Sequence, residues 1–139
     1  MTVHGGLLRV STAGHGAILD ITAGVQAVVE RSGVRTGLVC VFVTGSTAAI
    51  TTMEFEAGGV ADLQALLERL VPVAGDYEHN ARNADTNAAA HLRAAVVGPS
   101  ESVPLVGGAL VLGTWQQIVL CDFDERPRDR AITVQVLGE

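Results

Sequence analysis

Polar residues concentrate in one stretch of this sequence, Tyr77–His91, which reads Y-E-H-N-A-R-N-A-D-T-N-A-A-A-H. Two of the four His, His79 and His91, bracket it, with Asp85 and Asn87 between them. If a helix begins near Asp85, Asn87 and His91 stand four apart and share a face. Asp85 then sits at the helix N-terminus, where free N–H groups and the dipole favour negative charge. Two imidazoles, a carboxylate and an amide oxygen suit a borderline cation such as zinc, with His79, Asp85 and His91 as ligands. The same helix end, a His and Arg82 or Arg93 suit a phosphate instead. A capping Asp with surface His competes with both, because H-x5-D-x-N-x3-H is less specific than H-E-x-x-H.

Three further features could carry chemistry. Glu54 follows an apolar run and is placed to act as a general base or a ligand, although a solvated strand end explains it as well. Glu56 invites the solvated reading more strongly. Ser46 and Thr47, after Gly45, offer hydroxyl and backbone N–H groups to an anion, or form an ordinary turn. The single Trp, in Gly113-Thr114-Trp115-Gln116, offers a flat face to a ligand, a core or a subunit contact. His4 and His15 are isolated. No G-x-S-x-G nucleophile elbow is present.

Composition removes several classes. The net charge is −6, with nine Arg, no Lys and 15 acidic residues, so a basic face for nucleic acid is not expected. Without an ε-amine there is neither a Schiff-base lysine nor a phosphate-loop lysine. Cys40 and Cys121 lie in the apolar runs LVCVFV and IVLCDF and read as reduced core thiols. No apolar stretch approaches the roughly 18–20 residues that span a bilayer. The N-terminal residues lack a basic region and a long apolar run. The expectation is a cytoplasmic protein with no membrane partner.

Which elements position these residues? Asp20–Ser32 reads as a helix, with Asp20 or Thr22 accepting at its start and Gly33 at its end. Gly59–Val71 is the clearest helix, with Leu63, Leu66, Leu67 and Leu70 on one stripe and Pro72 beyond it. A third helix is capped by Asp85 or Thr86 and runs to about Val97, before Gly98-Pro99. Gly75–Ala84 reads as an irregular loop. Strands are expected over Leu7–Ser11, Thr36–Thr44, Ala48–Phe55, Ser102–Val106, Ala109–Leu112, Gln116–Phe123 and Ala131–Leu137. Gly107-Gly108 marks a hairpin, and Asp124–Arg130 a polar loop. Short connections between the last strands predict antiparallel pairing. The sum is one α+β domain over 1–139, a mainly antiparallel sheet with three helices packed on one side.

Several pieces occur together and in order: G-L-V-C-V-F-V-T-G-S-T-A-A-I-T-T-M-E, L-L-E-R-L-V-P, Y-E-H-N, D-T-N-A-A-A-H-L, G-P-S, G-T-W-Q-Q-I and V-L-G-E. In these the chain resembles the YjbQ-like family from about Val10 to Glu139. The resemblance implies a compact α+β fold, a homotrimer with the site near subunit contacts, and conserved polar positions at Glu54, His79, Asp85, Asn87, His91, Trp115 and Gln116. Members are often described as secondary thiamine-phosphate synthases. That reaction joins a pyrimidine diphosphate to a thiazole phosphate and releases pyrophosphate, commonly with Mg²⁺ at the leaving group. On this reading Glu54, His79 and His91 are catalytic. Ser46, Thr47, Asp85, Asn87, Trp115 and Gln116 then hold a small, phosphorylated ligand, with zinc or magnesium as the cofactor. The alternative is a trimeric protein that binds a metal or metabolite without turnover. One departure stands out: many relatives carry His where this chain has Gly45, which points to an altered activity or a different ligand.

Overall fold

The computed structural model describes residues 1–139. In chain order the elements are β1 (Thr2–Thr12), β2 (Ala17–Asp20), α1 (Thr22–Ser32), β3 (Thr36–Val43), β4 (Ala48–Met53) and α2 (Ala57–Leu70). They continue with α3 (Glu78–Asn83), α4 (Ala88–Val97), β5 (Ser100–Val106), β6 (Ala109–Leu110), β7 (Gln117–Asp122) and β8 (Arg128–Gly138). The strands form two antiparallel sheets, a large one ordered β1-β8-β3-β5-β6 and a small one ordered β2-β7-β4.

Alternation along the strands decides what lies where. Val39, Val41 and Val43 of β3, Ile132, Val134 and Val136 of β8, and Val103 and Leu105 of β5 point to one face of the large sheet. They meet Val25, Val28 and Val29 of α1, with Ile50, Ile118 and Leu120 of the small sheet, in one aliphatic core. The opposite face of the small sheet, Ala49, Val119 and Cys121, packs on Leu67 of α2 and on Ala90 and Ala94 of α4. Each fully enclosed Val or Ile here contributes about 1.5–3 kcal/mol through burial. The layers are therefore large sheet, small sheet, then α2 and α4. The outer face of the large sheet has no helix over it. Where β3 meets β8, Gly37 stands opposite Gly138, and a Cβ on Gly37 would lie 1.9 Å from the Leu137 carbonyl oxygen. Only glycine allows the strands to approach this closely.

The architecture agrees with the α+β expectation, with four corrections. There are four helices, not three, because the expected loop contains α3. Asp85 and Thr86 do not cap α4: its N-cap is Asn87, and the Ala88 N–H donates to the Asn80 side chain at 3.0 Å. β7 and β8 follow each other closely but belong to different sheets, so they do not pair. Cys121 is buried, and burial pushes its thiol up to about 12, whereas Cys40 is only half-buried on β3. The Gly107-Gly108 hairpin forms as expected, with both φ positive. No helix is long and apolar enough to cross a membrane.

Candidate functional site

The helix α3 is short and polar, and side-chain hydrogen bonds fasten it to the start of α4. Asn80 accepts from Ala88 N, and the His79 Nε2 meets Asn87 Oδ1 at 3.0 Å. Asp85 Oδ2 lies 3.7 Å from the same nitrogen. One turn further along α4, the His91 ring stands edge-to-face on His79, with centroids 4.9 Å apart. Asn87 and His91 do share a face, as their spacing predicts. His91 Nδ1 lies 3.1 Å from the Ser46 carbonyl oxygen, in the β3–β4 turn. A carbonyl only accepts, so Nδ1 carries the proton and the neutral ring keeps its lone pair on Nε2. Gly45, Ser46, Ala48, His91, Ala94 and Pro99 border a pocket of about 290 Å³.

Behind this turn lies a buried ionic network joining the two sheets. Asp122, with 0% exposure at the end of β7, accepts from Thr12 Oγ1 at 2.5 Å and from Arg130 Nε and Nη2 at 2.7 and 2.8 Å. Thr47 Oγ1 donates to Asp124 Oδ2 at 2.9 Å and accepts from Arg130 Nη2 at 2.8 Å. Arg128 Nε completes the set on Asp124 at 2.9 Å. Burial pushes the Asp122 carboxyl up, but hydrogen bonds from Arg130, Thr12 and the Asp124 backbone outweigh it and hold it below the usual carboxylate range. Asp124 is likewise lowered against its burial by Thr47, the Glu125 backbone and Arg128. The hydrogen bond to Asp122 raises Arg130 above its ordinary value.

The remaining candidates lie elsewhere. Ser46 precedes β4, and Glu54 follows it. A six-residue strand separates them, a distance of about 20 Å. Trp115 and Gln116 share Glu54's end, because β7 runs antiparallel to β4 and Gln117 pairs with Met53. There Gln116 Nε2 donates to Thr52 Oγ1 at 3.1 Å, and Phe55 N donates to the Gln117 side chain at 2.8 Å. Trp115 is 72% exposed. The candidate residues thus form two groups at opposite ends of the β4–β7 pair.

Comparison with known proteins places this geometry in a lineage. Residues 7–139 match the family described as "UPF0047 protein YjbQ-like". The chain belongs to the YjbQ-like UPF0047 family. A UPF0047 protein of Methanothermobacter thermautotrophicus is 42% identical over 139 residues, 100% of this chain and 95% of that protein. One from Archaeoglobus fulgidus is 41% identical, over 94% of this chain and 98% of its own length. Among solved structures, a YbjQ-like protein of unknown function from Sulfolobus solfataricus superposes with a TM-score of 0.94 at 38% identity, covering 99% of each chain. A hypothetical protein from Aeropyrum pernix gives 0.90 at 35%, covering 97% of this chain and 98% of its own.

In this YjbQ-like chain His79, Asp85 and His91 are neighbours. His79 Nε2 is engaged by Asn87, His91 Nδ1 turns to Ser46, and no three His, Cys, Asp or Glu side chains come together to hold an ion. Of the buried network only Thr47 was among the sequence-based candidates, and there as a ligand-binding residue rather than a link between Arg130 and Asp124. The network's signal is present as D-x-D at Asp122 and Asp124, and R-x-R at Arg128 and Arg130. Spacing of two puts Arg128 and Arg130 on one face of β8, where they meet Asp122 at the end of β7 and Asp124 just beyond it.

Proposed function

We propose that the His79–Asn87–His91 cluster is a small-molecule site in which His91 Nε2 gives or takes a proton. The observation that carries this reading is the Ser46 carbonyl, which holds His91 Nδ1 and leaves Nε2 as the basic nitrogen of a residue that borders a pocket of about 290 Å³. An NMR fragment screen read on the His79 and His91 ring signals tests it. Ligands that move both rings together support it, and a screen that moves neither removes it.

The reaction to try first is the one the resemblance implies, condensation of a pyrimidine diphosphate with a thiazole phosphate. Wild type and His91→Ala are introduced into a thiamine-auxotrophic strain. Growth with the first and not the second is expected. Equal growth removes the catalytic role of His91, and growth with neither removes the reaction. Binding without turnover is the second reading. The His79–Asn87 and Asn80–Ala88 hydrogen bonds favour it, since they explain His79 as part of a latch on α4.

The two separated groups suit a site shared between copies of the chain. A cyclic trimer uses a heterologous interface, which brings different patches of two subunits together. In such a ring, Glu54, Trp115 and Gln116 of one copy would face the His79–His91 end of another. Co-expression of His91→Ala with Trp115→Ala tests this: ligand binding recovered in the mixed oligomer, and absent from each variant alone, is the expected result. No recovery in verified mixed oligomers places the whole site within one chain.

A further inference from the structure

Arg130 uses only part of its guanidinium. Nε and Nη2 are committed to Asp122 and Thr47, while Nη1 has no acceptor within the chain. The residue is 7% exposed, and no fully enclosed side-chain nitrogen or oxygen lacks a partner, so Nη1 retains a path to the outside. Gly45 marks that path. A Cβ placed on Gly45 would lie 2.8 Å from Nη1, so any side chain there would cover it. The backbone φ of +130° at Gly45 also disfavours other residues. Gly45 in turn borders the same pocket as Ser46 and His91.

We propose that Arg130 Nη1, reached past Gly45, is the oxyanion-binding element of the His91 pocket, so that its ligand carries a phosphate or carboxylate group. The proposal rests on the reading of that pocket as a ligand site and adds the residue that takes the oxyanion, Arg130, which stands behind the pocket lining, and the one that admits it, Gly45. Asp122 and Asp124 balance Arg128 and Arg130, and the chain carries a net −6, so bulk attraction does not supply the affinity. It comes from directed N–H donors. The guanidinium is already oriented by Asp122 and Thr47, so it loses little freedom when it meets an oxygen. Gly45 then decides which ligands reach it.

Inorganic phosphate and acetate, titrated separately into wild type, Arg130→Lys and Gly45→Ala, test the proposal. The readout is the Gly45-position and Ser46 amide signals and the His91 ring. Wild type is expected to show saturable shifts, and the anion that binds more tightly identifies the ligand group. Both variants should bind roughly tenfold more weakly or worse, with dispersed amide spectra showing that they are folded. Should Arg130→Lys fail to fold, Gly45→Ala decides alone. Undiminished binding in the folded variants overturns the Arg130 contact while leaving the pocket intact. A wild type blind to both anions also overturns that contact. It overturns the pocket reading as well only if the fragment screen on His79 and His91 is empty.

Discussion

Asp122 accepts hydrogen bonds from β1, from β8 and from the backbone beyond its own strand while fully enclosed. Removing its charge leaves the largely buried Arg130 without its main counter-ion. Asp122→Asn is therefore expected to cost about 3 kcal/mol of stability in urea unfolding. The pH dependence follows from the lowered carboxyls of Asp122 and Asp124. Their contribution is complete above the unfolded-chain value of roughly 4 and is lost as pH falls through the lower folded values. The urea midpoint should hold steady above about pH 5 and drop below about pH 4, and Asp122→Asn should flatten that drop. At this scale the sequence was half legible. Asn87 and His91 share a helix face because spacing dictates it. The Arg130 network was hidden because Thr12 and Thr47 come from distant parts of the chain and its acid and base pairs read as an ordinary polar loop.

Glu56 shows how an exposed acid earns its place at the level of an element. Its carboxylate accepts from the Gly58 and Gly59 N–H groups at the start of α2. Glu56→Ala should lower stability by about 1 kcal/mol, read as a shift in the urea midpoint with the fold unchanged. Gly37→Ala should cost more, about 2 kcal/mol or above, because its Cβ meets β8 backbone rather than a movable side chain. The helix α2 was legible from its leucine stripe. The helix α3 was not: E-H-N-A-R-N has no apolar face, and it is held by hydrogen bonds to α4 that no local pattern reveals. Both β1 and β8 extend beyond the expected runs because their mutual pairing, from Thr2↔Gly138 to Thr12↔Arg128, carries the strands through glycines and charges.

The uncovered face of the large sheet is the feature of the whole molecule that bears on assembly. Leu7 and Phe42 both neighbour Thr133, and Leu38 and Val3 both neighbour Leu137, so apolar side chains line up across three strands. Leu7 is 52% and Phe42 43% exposed. An apolar face of this kind fits contact with further copies. If copies of the chain assemble through this face, the double variant Leu7→Glu, Phe42→Glu should have a lower mass in light scattering than the wild type. An unchanged mass would remove this face as a contact between copies. The α+β class was legible from strand and helix periodicity. The split into two sheets was not, because the short β7–β8 connection suggests a hairpin until the buried salt bridges tie those strands across the layers. The position of β8 has a bearing on biosynthesis. It lies between β1 and β3, so β1 has no partner and β3 pairs only with β5 until residues 128–138 have left the ribosome. Until then the apolar edge of β3 stays open, and a ribosome stalled short of that strand would present an aggregation-prone nascent chain to chaperones.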